Sequence, residues 1–374
     1  MRRKLTELCD IQYGYAFDSA GFTEDSSYPP LARIRDVKRG YSETYFSEEY
    51  PEEYVLHAGD LLVGMDGEFN IARWKSRDAL LNQRVCKIIA KEGSDEEYLR
   101  FALSKALKEI ENRTAFVTVK HLSAKELNKL ELQVPALPEQ ERISSVLART
   151  EGILALRQSE LQTLDDLIKA RFVEMFGDPN VNSLNWKMGV ISDIGRCVAG
   201  ATPSTARPEY WKDGTIPWLS SGEVNKGRIY ETDAKITQQG YDNASTKMVP
   251  AKTVVLAMAG QGKTRGTAAI TEIELCTNQS ICSIVGNGRV NHEYLLAFLR
   301  MQYKELRNAS TSAEGRGGLN LKIIGSYPIM IPPIELQNQF ASFVSQVNKS
   351  KAVVQKALDK SQFLFDSLMQ QYFG

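Results

Sequence analysis

The sequence predicts an α+β fold built twice over, as two mixed globular parts with twisted, largely antiparallel sheets, each followed by a long helix. The first observation is an internal repeat, because similar segments return along the chain at a nearly constant offset. The second is a pair of long stretches with the 3.5-residue apolar period of a coiled coil. The third is an ordinary globular composition over 374 residues, which exceeds what one core usually organises.

The repeat is clearest when the two halves are compared position by position. Phe176 corresponds to Phe373 at a shift of 197 (373 − 176), and Asn82-Gln83 returns as Asn278-Gln279 at a shift of 196 (278 − 82). We interpret the chain as two diverged copies of a module of about 190 residues, related by pseudo-twofold symmetry. The predicted division is a first domain at 1–137, a long helix at 138–177, a second domain at 178–333 and a second long helix at 334–374.

The globular parts carry short strands rich in β-branched residues and one clear helix each. The predicted strands are Gly59–Gly64 and Arg84–Ile89 in the first copy, and Ile216–Leu219, Thr253–Met258 and Ser280–Val285 in the second. The predicted helices are Glu96–Asn112 and His292–Arg307.

Between Pro138 and Phe176 the only helix-breaking residue is Gly152, and apolar residues recur in alternating steps of three and four. The second copy has the same register. About 38 residues at 1.5 Å each make a rod of roughly 57 Å. Pairing the two helices antiparallel would place one globular part at each end, whereas the alternative is that each helix packs only on its own domain.

Charge and cysteine usage limit the function classes. The formal net charge is zero, with 46 basic and 46 acidic residues, so any attraction to nucleic acid must be local. The five cysteines are odd in number and lie in apolar runs, which favours buried thiols. No apolar stretch predicts a membrane span or a signal core, so a cytoplasmic location is expected.

Local basic excess and polar loops indicate where DNA could bind. One segment holds four basic residues against Asp36, namely Arg33, Arg35, Lys38 and Arg39. The loops after the strands carry Asp66, Glu68, Asn70, Arg73 and Lys75 in one copy and Gln261, Lys263, Thr264 and Arg265 in the other. These side chains suit phosphates and base edges, and the loops differ while their flanks match. The alternative for any one charge run is a solvated surface.

Motifs for catalysis are weak. Gly260-Gln261-Gly262-Lys263-Thr264 ends like a phosphate-binding loop, but Ala257 stands where that motif needs glycine. Asp66 and Glu68 are residue types of a metal-binding nuclease centre, yet the second copy has Ala259 at the position that matches Asp66. The three histidines lack metal-ligand spacing to Cys or carboxylates.

Several segments, in order and in duplicate, resemble the specificity subunit of type I restriction-modification enzymes over essentially the full length of the chain. The segments are Gly59-Asp60-Leu61-Leu62-Val63-Gly64-Met65-Asp66-Gly67-Glu68-Phe69-Asn70, Asn82-Gln83-Arg84-Val85, Val134-Pro135-Ala136-Leu137-Pro138-Glu139-Gln140-Glu141-Arg142-Ile143, and Met175-Phe176-Gly177-Asp178-Pro179 followed by Trp186. The second copy departs from the pattern with Ile334-Glu335-Leu336-Gln337.

The resemblance implies a non-catalytic DNA reader with two target recognition domains, each reading one half of a bipartite double-stranded DNA target. Two methyltransferase subunits and translocase-nuclease subunits would be its partners. S-adenosylmethionine, ATP and magnesium would serve those partners, with no cofactor in this chain. The predicted DNA-binding set adds Lys120, Ser220, Lys226 and Arg316 to the residues named above, and the predicted partner-binding residues are Glu139, Gln140 and Gln337.

Two other functions compete with this one. A self-contained methyltransferase or nuclease would need a Gly-rich cofactor loop or an Asn-Pro-Pro-Tyr-like tetrapeptide, and neither occurs in the sequence. A coiled-coil scaffold that joins two protein-binding domains would show no salt-dependent affinity for DNA.

Overall fold

Short strands and helices follow one another twice along the chain, and each series ends in a helix of 40 residues. The computed structural model describes residues 1–113, 121–260, 262–310 and 318–374. Two units emerge from the contacts: unit 1 consists of Met1–Gln158 with Lys356–Gly374, and unit 2 of Ser159–Gln355. Each boundary falls inside one of the long helices rather than at its end.

The elements of the first half are β1 (Arg2–Lys4), α1 (Leu5–Leu8), β2 (Cys9–Tyr13), β3 (Phe22–Thr23), β4 (Leu31–Ala32), α2 (Ile34–Val37), β5 (Tyr45–Phe46), β6 (Val55–Leu56), β7 (Leu61–Gly64), β8 (Asn70–Arg73), β9 (Ala79–Leu81), β10 (Val85–Ala90), α3 (Glu96–Arg113), α4 (Ala124–Lys129), β11 (Glu131–Gln133) and α5 (Leu137–Phe176). Short 3-10 helices also occur at Ser19–Gly21 and Glu52–Tyr54.

The elements of the second half are β12 (Met188–Val190), α6 (Ile191–Ile194), β13 (Gly195–Ala199), β14 (Ile216–Leu219), β15 (Arg228–Ile229), β16 (Ala234–Ile236), α7 (Gln238–Asp242), β17 (Met248–Val249), β18 (Val254–Ala257), β19 (Ala268–Thr271), β20 (Leu275–Thr277), β21 (Ile281–Gly286), α8 (His292–Met301), α9 (Tyr303–Ala309), α10 (Leu321–Gly325), β22 (Pro328–Met330) and α11 (Ile334–Phe373). Two 3-10 helices, Pro208–Tyr210 and Ser221–Lys226, complete this half.

The main sheet of unit 1 has four strands in the order β2-β10-β7-β8, and all its neighbours are antiparallel. The main sheet of unit 2 repeats this arrangement as β13-β21-β18-β19 and adds β15, which pairs parallel to β19. A smaller sheet lies beside each main one, β4-β9-β6 in unit 1 and β16-β14-β20-β17 in unit 2. The equivalent pairs β4–β9 and β14–β20 are parallel, so the mixed α/β fold predicted from the sequence is confirmed in both units.

In unit 1 the core lies between the main sheet and the helices. Leu61 and Val63 of β7 pack with Tyr98 and Leu99 of α3, all almost fully buried. The Tyr98 hydroxyl donates to the Gln133 carbonyl oxygen at 2.7 Å, which ties α3 to the strand that precedes α5. The last part of α11 joins the same core, and the side chains of Arg142 on α5 and Tyr372 on α11 lie together, with the guanidinium 5.8 Å from the ring centroid.

In unit 2 the two long helices also meet. The rings of Phe172 on α5 and Phe340 on α11 are 5.6 Å apart, and both pack in the same core as Tyr294 of α8. Farther along, Asp165 on α5 accepts from Lys351 on α11 at 2.5 Å. Because residue numbers fall on α5 as they rise on α11, the helices run antiparallel within this unit. Each long helix therefore contacts both a globular domain and the other helix.

The predicted helix His292–Arg307 is wrong in one respect, because it is interrupted. Helix α8 ends at Met301 and α9 begins at Tyr303, with Gln302 between them. The Gln302 side chain is buried, donates to Asn180 at 3.0 Å and accepts from the Tyr327 hydroxyl at 2.7 Å. These tertiary bonds hold the break, which a periodic apolar pattern does not reveal.

All five cysteines are free thiols, and only Cys197 is partly accessible. Burial raises the pKa of Cys9 to about 12. Within the described part of the chain, no helix has the length and apolar content to cross a membrane.

Candidate nucleic-acid interface

The polar loops of unit 1 gather at one end of its main sheet. The strand register pairs Tyr13 with Cys86, Val85 with Gly64, and Gly64 with Asn70. Strands β2 and β7 therefore end where β8 and β10 begin, and the residues 14–18, 65–69 and 82–84 leave the sheet together. We call this set the loop edge of unit 1.

The loop edge of unit 2 arises in the same way. Ala199 pairs with Cys282, Ala257 with Ile281, and Leu256 with Ala268. The described residues 200–202, 258–260, 262–267 and 278–280 thus form the loop edge of this unit.

Matching backbone hydrogen bonds hold the loops in both units. Met65 N donates to the Arg84 carbonyl oxygen at 2.9 Å, and Met258 N donates to that of Ser280 at 2.8 Å. In turn, Met65 accepts from Leu122 N at 2.7 Å, as Met258 does from a leucine of its own unit. The scaffold is the same although the loops between its fixed points differ in length and sequence.

The loop edge of unit 1 is a mixed array of acids and cations. Arg84 approaches Asp66 at 3.6 Å, and His121 contacts the same carboxylate. Lys38 pairs with Glu68 at 3.3 Å, with both side chains well exposed. Exposed pairs of this kind contribute little to stability, so their groups are available to other ligands. Among the predicted residues, the structure brings Lys38, Asp66 and Glu68 to this edge.

Asn70 begins β8 at the same edge, where its side-chain amide donates to the Glu68 carbonyl oxygen at 2.9 Å. Arg84 and His121 were not singled out from the sequence. Arg84 lies in a repeated segment but corresponds to Ser280 in the second copy, so comparison of the copies draws no attention to it.

Most of the other basic residues predicted to bind DNA in unit 1 lie around α2, which packs against β7 and β8, and Lys75 follows β8. Arg33 covers the Phe22 ring at 5.7 Å, and Arg35 donates to Thr44 at 3.0 Å. Arg39 and Lys75 are exposed, and Lys75 N donates to the Gly40 carbonyl oxygen at 2.9 Å, which places these two cations around one turn. Arg35 is exposed as well, whereas Arg33 is half-buried.

Arg73 is at the opposite end of β8 and does not join the loop edge. Its guanidinium donates to Glu96 at 2.6 Å, to Glu97 at 2.8 Å and to the Gly59 carbonyl oxygen at 2.9 Å. Burial by itself would raise the pKa of Glu97, but hydrogen bonds from Arg100 and Arg73 bring it below its ordinary value. These bonds within its own unit favour a structural role for Arg73 over the predicted DNA contact, which stays a prediction.

In unit 2 the loop residues 262–265 are braced from the side by α9. Arg307 donates to the carbonyl oxygens of Gly262 and Arg265, each at 3.0 Å, and the Tyr303 hydroxyl donates to that of Lys263 at 2.9 Å. Lys263 itself is exposed and Arg265 is half-buried. The brace fixes the backbone and leaves the Lys263 ammonium at the surface.

A neighbouring turn supplies further polar groups to this edge. The Asn225 amide donates to Thr264 at 3.2 Å, a contact that sequence reasoning missed. Lys226 is paired with Asp233 at 2.6 Å and Glu223 at 3.0 Å, and the Ser220 hydroxyl donates to Glu223 at 3.0 Å. Ser220 and Lys226 thus build the turn that carries Asn225. The predicted residues Lys120, Gln261 and Arg316 lie outside the described residues.

Two of the three predicted partner-binding residues are interior. Gln140 is 1% exposed, accepting from Asp95 N at 3.0 Å and donating to the Pro135 carbonyl oxygen at 2.9 Å. Gln337 is fully buried, accepting from Asn291 N and donating to the Pro332 carbonyl oxygen, both at 2.8 Å. These glutamines clamp the start of each long helix to its domain, and the prediction that they contact a partner is corrected.

Glu139, the third predicted partner-binding residue, is half-buried and pairs with Arg142 at 2.7 Å. Among the described residues, no cluster of three or more histidine, cysteine or carboxylate side chains is arranged to hold a metal ion.

Comparisons with known proteins identify the family. The model of the family described as type I restriction modification DNA specificity domain matches residues 1–165 and 183–360. The EcoBI specificity subunit of Escherichia coli is 28% identical over 407 residues, covering 99% of this chain and 84% of that protein. The EcoR124I/EcoR124II specificity subunit of the same species is 21% identical over 165 residues, 44% of this chain and 40% of that one.

Solved structures show the same fold. The type I restriction-modification S subunit from M. genitalium superposes with a TM-score of 0.61 at 15% identity, covering 100% of this chain and 96% of that one. A chain from a study of complex assembly in the type I R-M system gives 0.52 at 14% identity, covering 100% and 97%. This chain therefore belongs to the type I restriction modification DNA specificity family, as a subunit that supplies sequence recognition to a restriction-modification system rather than the catalysis.

Proposed function

We propose that each unit reads one half of a bipartite double-stranded DNA target through its loop edge. One observation carries the proposal: the two units hold loops of different sequence on the same backbone scaffold. The loop after β7 presents Asp66 and Glu68 in unit 1, whereas the loop after β18 presents Lys263 and Thr264 in unit 2. Carboxylates accept from cytosine and lysine donates to guanine, so the two edges suit different bases.

The long helices would set the distance between the two half-sites. Contacts in each unit support this, because Phe172 meets Phe340 in unit 2 and Arg142 meets Tyr372 in unit 1. We propose that α5 and α11 pair antiparallel as a coiled coil along their length. At 1.5 Å per residue, a helical insertion of one turn would lengthen the spacing by about 5.4 Å.

Two methyltransferase subunits would dock on the helices, one on each unit. Unit 1 exposes Leu156 of α5 by 71% and Leu364 of α11 by 52%, and unit 2 exposes Val353 of α11 by 71% and Leu167 of α5 by 45%. The pairs correspond at the repeat shift of 197 (353 − 156 and 364 − 167). Exposed apolar side chains repeated in this way favour two copies of one protein partner.

The catalytic work would then belong to the partners. Methyltransferase subunits would bring S-adenosylmethionine, and translocase-nuclease subunits would bring ATP and magnesium. We place the assembled complex in the cytoplasm, where the chromosome that it would methylate is found.

A methylome tests the proposal directly. Cells that carry the matching methyltransferase gene are sequenced by a single-molecule method, with and without the gene for this chain. A bipartite adenine-methylated motif that depends on this chain supports the proposal and reports both half-sites. A co-purifying methyltransferase without any new motif would favour a protein scaffold that does not read DNA.

A further inference from the structure

One turn of the loop edge has the same sequence in both units. Asn82-Gln83 lies between β9 and β10, and Asn278-Gln279 lies between β20 and β21. The loops beside this turn differ between the units, so a shared pair of residues there calls for a shared role.

The backbone of the turn is held identically in the two units. Asn82 N donates to the Ala32 carbonyl oxygen at 3.4 Å, and Asn278 N donates to that of Leu219 at 3.0 Å. Asn82 also accepts through its side chain from Gln83 N at 2.9 Å, as Asn278 does from a backbone N–H one residue farther on. The asparagines thus shape the turn from within.

A glycine faces the turn in each unit. A Cβ at Gly14 would lie 2.0 Å from the Asn82 carbonyl oxygen, and one at Gly200 would lie 1.7 Å from that of Thr277. No side chain fits at either position. The close approach packs the chain that leaves β2 or β13 against the start of the turn, so the residue after each asparagine has a defined place at the loop edge.

The glutamines point outward from this rigid turn. Gln83 is exposed, and its side chain has no hydrogen-bond partner among the described residues. Gln279 is also exposed, and its carbonyl oxygen accepts from Thr202 at 2.5 Å, which leaves the amide N–H groups without a partner in the described part of the chain. Each unit therefore presents an amide donor at the centre of its loop edge.

We propose that Gln83 and Gln279 each donate to a phosphate oxygen of the DNA backbone, one in each half-site. This inference rests on the proposed function. Because the flanking loops differ, the two half-sites differ in their bases, and the chemistry that they share is the sugar-phosphate backbone. Glutamine amides are among the donors that proteins use for phosphate contacts, which set the position of a protein on DNA without reading its sequence.

The position of the turn agrees with this assignment. In unit 1, Arg84 follows Gln83 directly and lies 3.6 Å from Asp66 of the adjoining loop. The Gln83 amide, which would hold the DNA backbone, is therefore a neighbour of the side chains that can read bases. A fixed phosphate contact would set the register in which the variable loops meet the base edges.

Binding measurements on the full chain with its co-expressed methyltransferase test the inference. The variants Gln83→Ala and Gln279→Ala are compared on a duplex with the methylated motif and on a scrambled duplex. Each should bind both duplexes about tenfold more weakly, because a hydrogen bond to a charged group is lost, while the methylated motif stays the same. Gln83→Glu should weaken binding further by placing a carboxylate beside the phosphate. Gln133→Ala is the matched control, since Gln133 is an exposed glutamine on β11, away from the loop edge.

The outcomes separate this inference from the proposed function. Unchanged affinity of both alanine variants, or a changed methylated motif, would overturn the phosphate contact. Loss of methyltransferase co-purification would also overturn it and assign the glutamines to a protein interface. If the wild-type complex itself shows no affinity for DNA, the proposed function fails, whatever the variants do.

Discussion

The buried glutamine at the start of α5 offers a quantitative test of how the domain is joined to the helix. Gln140→Ala removes the bonds to Asp95 N and the Pro135 carbonyl oxygen, and no water can reach them easily because the site is 1% exposed. Leaving each buried group unpaired costs about 1 to 3 kcal/mol. We therefore expect the free energy of unfolding of unit 1 to fall by about 2 to 6 kcal/mol.

Hydrogen exchange read by mass spectrometry resolves this effect by segment. A loss of 3 kcal/mol corresponds to roughly 160-fold faster exchange wherever opening of unit 1 limits the rate. The change should be largest in peptides from α3 and the first half of α5. Gln337→Ala should produce the equivalent change in unit 2, and Gln133→Ala, which alters an exposed side chain, should leave protection unchanged.

Equal protection in wild type and Gln140→Ala would refute this reasoning. So would a loss of the same size in both units, since the contacts of Gln140 all lie within unit 1.

Four other outcomes are expected. Arg73→Ala should lower the melting temperature of unit 1 without changing the methylated motif, because its partners are Glu96 and Glu97 of its own unit. Lys263→Ala should weaken DNA binding, and a lower salt dependence of the affinity should accompany the loss of one phosphate or base contact. The pair Leu156→Asp and Leu364→Asp should reduce the number of methyltransferase subunits retained in gel filtration from two to one. Unit 1 should lose stability as pH falls through the lowered pKa of Glu97, since the carboxylate form is favoured in the fold, and Glu97→Gln should flatten that dependence in acid titrations of unfolding.

Each of these has a result that contradicts it. An altered motif for Arg73→Ala would return that residue to the DNA interface. If Lys263→Ala binds DNA with the affinity and the salt dependence of the wild type, Lys263 does not belong to the DNA interface. If the double variant Leu156→Asp, Leu364→Asp retains both methyltransferase subunits, the methyltransferase docks on another surface. An acid profile of Glu97→Gln that matches wild type would show that other carboxylates dominate.

The sequence was sufficient to predict the elements that depend on local patterns. Apolar steps of three and four predicted both long helices to within one residue at their ends, and the runs around Val254 and Ile281 predicted strands. The comparison of the chain with itself predicted the duplication, but not the order of the strands in each sheet. Helices and strands follow from the pattern of neighbouring residues, and the duplication follows from repeated segments.

The candidate site was predicted only in part, because side-chain bonding depends on the register between distant strands. Asp66 and Arg73 stand seven positions apart in one polar stretch, but they leave opposite ends of the hairpin formed by β7 and β8. From the sequence, both residues were predicted to lie in the same loop. The register places Asp66 at the loop edge and Arg73 against Glu96 and Glu97.

The sequence by itself therefore determined the duplicated module, the long helices and the resemblance to a family of DNA specificity subunits. The tertiary structure alone decided which polar groups are available. Gln140 and Gln83 are the same residue type in repeated motifs, yet one is buried in bonds to its own backbone and the other is exposed on a fixed turn. The reason is physical: a hydrogen bond forms or fails within about 3 Å, and such distances follow from packing between segments far apart in the chain.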